Sequence, residues 1–184
     1  MTTSFNGIDL AGLTQFAGAV SQNPSQAKAK FGVTTQWEGQ TRTVAAVKSY
    51  DLLGKSYERD FRIAADEPHE LLGRNSAPNP QELLMAALNA CMSVGYVVAA
   101  AAKGITVRSL EIETTGELDL RGFLGLDENV NPGYDEVHYT VRIDADGSPE
   151  QMEEIHQTVL RTSPNYANFS KAIRMVPKLV LVSS

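Results

Sequence analysis

The sequence predicts an α+β chain: an antiparallel β-meander, one long central helix, a second helix and a terminal strand. Three observations carry this expectation. Between Phe31 and Ile63 apolar and polar residues alternate, broken at Glu38-Gly39 and at Leu53-Gly54-Lys55, the pattern of half-buried strands joined by turns. From Pro80 to Lys103 the alternation gives way to a run that is apolar on every side after Glu82. Beyond that run come a strand-like stretch, a glycine-rich loop, another alternating stretch and a second helical pattern.

The 184 residues suit one domain with a short addition, here an N-terminal helical extension over 1–30 and a main domain over 31–184. In the extension, Ile8, Leu10, Leu13, Phe16, Ala17 and Val20 recur at helical spacing, and Asn23-Pro24 ends the pattern. The meander then has strands at Phe31–Trp37, Thr43–Tyr50 and Tyr57–Ile63. Asp66 to Pro78 holds Pro, Gly, Asn and Ser and is a loop. Asn79 follows as an N-cap, with Pro80 at the first helical position and Glu82 three residues after the cap; together they form a capping box with a preorganised first turn. Gly104 stops the helix. At about 24 residues it measures about 36 Å. A helix apolar all round must be covered all round, more than a chain of this size supplies, so a second copy is expected to bury part of it.

Ile105–Leu120 reads as a long strand bent at Gly116, and 121–134, with Gly122, Gly125, Pro132 and Gly133, as an exposed loop and candidate lid. Val137–Ile143 alternates again. Ser148-Pro149, with Gln151 three residues after Ser148, opens the second helix, which runs through Ile155 and Val159 to about Arg161. Ser163-Pro164 interrupts it, a short helical turn continues to Phe169, and Arg174–Val182 is the closing strand.

Composition excludes several function classes. The net charge is −6 and no basic cluster offsets it, so nucleic acid is not an expected partner. The N-terminus has neither a basic region nor a long apolar run, so no secretory signal is expected. Leu83–Ala102 is uncharged and long enough to span a bilayer. It is rich in Ala, interspersed with Asn89, Ser93 and Gly95, and lacks basic or aromatic anchors. It reads as a buried helix, not a membrane span. One cysteine forbids an internal disulfide and favours a reducing compartment, the cytoplasm. His69, His138 and His156 fall at no metal-ligand spacing, and neither GxGxxG nor a P-loop occurs. Neither a metal nor a cofactor is expected.

Chemistry then rests on Cys91. Its neighbours on the helix face are Leu84, Ala87, Leu88, Val94, Gly95 and Val98, among which a cysteine packs as a small apolar side chain. It also lies too deep in the helix for the N-terminal dipole to act on it. To react, it needs a cation from elsewhere: Arg42, Arg59 or Arg62.

The run Asn79-Pro-Gln-Glu-Leu-Leu-Met-Ala-Ala-Leu-Asn-Ala-Cys91 resembles the central helix of the OsmC/organic hydroperoxide resistance superfamily, which opens with a proline and an acidic residue and ends at a cysteine. Asp66-Glu67-Pro68, the Gly73–Pro78 turn and the element order are similar too, so the resemblance spans Phe31 to Val182. It implies an OsmC-like fold in an intertwined homodimer and a thiol peroxidase chemistry. In the family a second cysteine, before a proline after the second long helix, resolves the sulfenic acid; the matching position here is Ser163, before Pro164. A serine cannot form that disulfide, so a single-cysteine cycle with an external thiol reductant is what remains. The family's catalytic glutamate, ten residues before the cysteine, corresponds to Gln81. Glu82 lies nine before, about 180° around the helix from Cys91, and reads as a cap. The family's arginine tends to follow the first hairpin, which points to Arg42. Two functions fit this sequence. One is a peroxide reductase for organic hydroperoxides working through Cys91. The other is a non-catalytic dimer that binds an apolar small molecule at the subunit interface.

Overall fold

The computed structural model describes residues 4–182. It opens with a small hairpin, β1 (Ser4–Phe5) and β2 (Ile8–Asp9), turning at Asn6-Gly7, where both residues have positive φ. The Asp9 side chain accepts from Ala11 N and caps α1 (Leu10–Gln22). The helix therefore begins two residues inside the stretch expected to be helical, and Ile8 belongs to the hairpin. None of the residues of α1 is buried. Asn6 ties the hairpin to the body, donating to Ile105 O at 3.0 Å and accepting from Val107 N at 2.9 Å.

The meander forms, but the expected first strand Phe31–Trp37 is interrupted at Gly32-Val33 and becomes two. β3 (Lys30–Phe31) and β4 (Thr34–Gly39) lie along one edge of β5 (Arg42–Leu52), and β6 (Lys55–Ala65) pairs with the other edge, all antiparallel. The register sets Thr35 beside Ala45 beside Ile63, and Val47 beside Phe61. Because side chains alternate along a strand, Trp37, Ile63 and Phe61 share one face. That face is bare: Trp37 is 72% exposed and Phe61 58%.

The central helix α2 spans Pro80–Ala102 with the full capping box: Glu82 N donates to Asn79 Oδ1 and Asn79 N donates to Glu82 Oε2, both at 2.8 Å. Gly104, at φ +69°, follows its end. One stripe, Leu88, Met92, Tyr96 and Ala100, is buried at spacing four. It packs on β7 (Val107–Thr115), β8 (His138–Ala145), α4 (Pro149–Thr162) and α5 (Pro164–Ser170), joining Ile105, Ile155 and Val159 in the core. Gly95 lets α4 approach closely, since a Cβ there would meet Val159 at 3.3 Å. The other side of α2, with Ala86, Ala90 and Val94, is exposed.

Two further expectations need correction. The strand after α2 stops at Thr115 and does not run to Leu120. At Gly116 a Cβ would stand 2.9 Å from the Tyr134 ring, so the chain leaves the sheet there, and Leu120 instead begins a short helix, α3 (Leu120–Phe123), capped by Asp119. The closing strand at Arg174–Val182 does not form either. A strand needs a neighbour for its N–H and C=O groups, and this segment pairs with none of the described strands. Its apolar residues stand open, Leu181 at 87% and Leu179 at 85%. The accessible surface reflects both bare regions. It is 13538 Å², where a compact monomer of 20.0 kDa exposes about 8,700 Å².

Candidate active site

Cys91 lies in the middle of α2, half-buried and unpaired as a thiol. The α4–α5 corner is placed against it by sequence. Pro164 ends α4 because a proline cannot continue the ladder. Ser163 between the helices is both the C-cap of α4 and the N-cap of α5. Its Oγ sits 3.4 Å from Cys91 Sγ and donates to it. The residue expected where a resolving cysteine would lie is thus in contact with Cys91. Asn165 makes a second tie, donating to Ala87 O, one turn before Cys91, at 2.7 Å.

Along the same side of α2 runs a cavity of about 790 Å³. Its walls are mainly apolar, from Leu84 and Leu88 of α2, Val137 before β8, and Tyr166 and Phe169 of α5; Gln81 lies at one end. Tyr139 and Tyr166 meet edge-on there, with centroids 6.3 Å apart. Burial, and then the neighbouring Tyr166, pushes the Tyr139 phenol above its ordinary range. Gly133 and Tyr134, the end of the expected lid, and Asp135 and Glu136 just after it line the cavity too.

The remaining expected site residues lie elsewhere. Glu82 is engaged in the capping box. Arg42 begins β5 at the hairpin tip, where Nε donates to Glu38 Oε2 at 3.1 Å and Nη1 to Ser76 Oγ at 2.9 Å. Arg59 stacks over the Tyr50 ring at 4.5 Å, and Arg62 is on the exposed sheet surface. Among the described residues no cation hydrogen-bonds to Cys91.

Two polar clusters were not assigned a role from sequence. Asp66, 1% exposed, accepts from the hydroxyls of Thr41 (2.6 Å) and Ser76 (2.7 Å) and from the amides of Glu67, Arg74 and Ser76. The hydroxyl of Thr41, then that of Ser76, holds its carboxyl well below the usual carboxylate range. This cage fastens the hairpin tip, with Arg42, to the loop that leads into α2. Gly73 is required inside it, because a Cβ would fall 1.7 Å from Glu67 O. In the sequence the cage shows only as the run Asp66-Glu67-Pro68 before a glycine-containing loop. The second cluster is buried Tyr96, hydrogen-bonded to His156 Nδ1 across α2 and α4. Burial, then Tyr139 and Glu153, pushes its phenol up to about 12. Their sixty-residue separation left no sequence signal.

The fold is shared with solved structures. An OsmC-like protein from Mycoplasma pneumoniae matches with a TM-score of 0.60 at 20% identity, over 77% of this chain and 87% of that one. A Psychrobacter arcticus 273-4 protein, named for osmotic stress induction and a detoxification response, matches with a TM-score of 0.56 at 19% identity, over 73% and 84%. An OsmC-like protein of unknown function from Vibrio cholerae matches at 0.51 and 15% identity, over 74% and 91%. No curated protein is significantly similar in sequence. Residues 73–178 match the family model described as OsmC-like protein, a stretch that takes in α2 with Cys91, the corner at Ser163 and the cavity one turn before them, and the chain belongs to that family.

Proposed function

We propose that the protein is a thiol-dependent peroxide reductase acting on organic hydroperoxides, with Cys91 as its reactive thiol. The observation that carries this reading is the placement of a half-buried cysteine, held by a hydroxyl, one helical turn beyond an apolar cavity large enough for a lipid-like substrate. Membership of the OsmC-like family supports it, as does the detoxification response in the name of the Psychrobacter protein. In the reaction the Cys91 thiolate attacks the outer peroxide oxygen. The S–O bond forms, the O–O bond breaks, and the alcohol leaves with a proton, so Cys91 becomes a sulfenic acid. With serine at 163 the chain cannot close a disulfide. An external thiol attacks the sulfenic sulfur, releasing water, and a second thiol frees Cys91 as a symmetrical disulfide leaves.

The working unit is a homodimer in the cytoplasm. Supporting this are the bare meander face, the exposed side of α2, the unpaired segment 174–182 and an accessible surface about 5,000 Å² above that of a compact monomer, well more per chain than the roughly 800 Å² a standard interface takes from each partner. The same partner would cover α2, which by length and composition could otherwise cross a membrane.

The test is mass spectrometry of the intact protein after tert-butyl hydroperoxide, with dimedone as the trap. The expected product is a persistent Cys91 sulfenic acid that excess peroxide converts to sulfinic acid. An unmodified Cys91 at millimolar peroxide sinks the reductase and favours the second reading, a dimer that binds an apolar small molecule without turnover. The cavity's apolar walls, and a glutamine at the end where a carboxylate would serve catalysis, favour that alternative specifically.

A further inference from the structure

Ser163 has four polar functions, and the fold accounts for each. Its N–H donates to Val159 O at 2.8 Å, closing α4, and its carbonyl accepts from Ala167 N at 3.0 Å, opening α5. Its Oγ accepts from Tyr166 N at 3.3 Å as the α5 N-cap. The residue is only 5% exposed, so water does not compete for what is left. Among the described residues the hydroxyl proton has one acceptor in reach, Cys91 Sγ at 3.4 Å. The backbone is fixed by two helix ends, and the side chain by the cap, so the donor's direction is set before any substrate arrives.

We propose that Ser163 is a positioning residue for Cys91: its hydroxyl, locked by the α4–α5 corner, donates to the sulfur, favours the thiolate and holds the sulfur lone pair in one orientation. This rests on the reading of Cys91 as the reactive thiol, and it gives the serine a role of its own at the place of an absent thiol. A hydrogen bond from a neutral donor to an ionised acceptor is among the stronger kind, and its removal costs about tenfold in thiolate-dependent rate. Asn165, whose side chain holds the same corner to Ala87 O but does not donate to the sulfur, provides the structural control.

The experiment is the rate of Cys91 alkylation by iodoacetamide against pH on the full chain, with melting temperature measured in parallel. Ser163→Ala should react about tenfold more slowly near neutral pH, with its profile displaced to higher pH. Ser163→Thr should restore both. Ser163→Asp keeps a cap acceptor but sets a carboxylate beside the sulfur, and should be slower still. Asn165→Ala should lower the melting temperature and leave the profile in place. A Ser163→Ala profile that coincides with the wild type overturns the proposal. Should that variant not fold, Ser163→Gly, which removes the hydroxyl and remains a tolerated N-cap residue, decides it, and an unchanged profile there is equally fatal. Peroxide is absent from this measurement. A displaced profile with a peroxide-inert Cys91 therefore removes the reductase and keeps the positioning role, while a peroxide-reactive Cys91 with coincident profiles does the reverse.

Discussion

The meander and the α2–β7–β8–α4 body solve the same problem in opposite ways. The body carries its own core: Leu88, Met92, Tyr96, Ile155 and Val159 are each at most 2% exposed. The meander has longer strands and more complete pairing, yet Trp37, Phe61 and Ile63 on one of its faces stay open. Backbone pairing and the Phe31–Tyr50–Tyr57 stack hold its shape without a buried core, and a sheet of this size is stable only when an apolar face is covered. The difference teaches that strand pairing and core formation are separable in this chain: one is written into each half, the other into only one of them.

The hardest blow to this contrast is a charge on the bare face. Phe61→Asp should abolish the proposed dimer, read as a monomer in sedimentation at micromolar concentration, with the meander amides losing protection before those of the body. A wild type that already sediments as a monomer refutes the covered-face explanation. Inside the body the effect should be independent of concentration. Met92→Ala, at a fully buried position, should cost about 3 kcal/mol in denaturant unfolding, whatever the protein concentration above the dissociation range.

The joint between the halves comes next. Asp66→Asn should lower the melting temperature by roughly 5 °C, since an amide cannot accept all five bonds. The pH dependence has a definite sign. The folded-state carboxyl titrates below its unfolded value of about 3.9, so its contribution is complete above about pH 4 and disappears as pH falls toward the folded-state value. The asparagine variant should lose that slope, and parallel acid-unfolding curves for the two proteins would exclude the cage as its origin. The smallest effect belongs to the α2 cap: Glu82→Ala should cost about 1 kcal/mol and leave the Cys91 alkylation rate unchanged. A large fall in that rate would move Glu82 from the cap to the chemistry.

Most of the fold was legible because local signals agreed with the tertiary outcome. Period-two alternation gave the meander, and the Asn79-Pro80-Glu82 and Ser148-Pro149-Gln151 triplets gave both helix starts to within a residue. The signals failed where a neighbour decides. Arg174–Val182 has strand composition, but strandedness belongs to a pair, and the sequence does not say with whom. The stop at Thr115 is set by Tyr134 packed over Gly116, eighteen residues on. At the site, the Ser163 position was identified by its place before Pro164, while its contact with Cys91 arises from packing of α4 on α2. The Asp66 cage needs Thr41 and Ser76 brought to one carboxylate, a convergence that no periodicity reports.

That convergence has a dynamic consequence. The amides of Glu67, Arg74 and Ser76 end on the two oxygens of a single side chain, so they share one anchor and cannot detach independently. In hydrogen–deuterium exchange they should behave as a single opening unit, slow for a loop and equal in rate. The hairpin tip carrying Arg42, joined to the same anchor through Thr41 and Ser76, should follow that rate. The entrance to the central helix thus opens by one event, and its frequency is set by how often one buried carboxylate lets go.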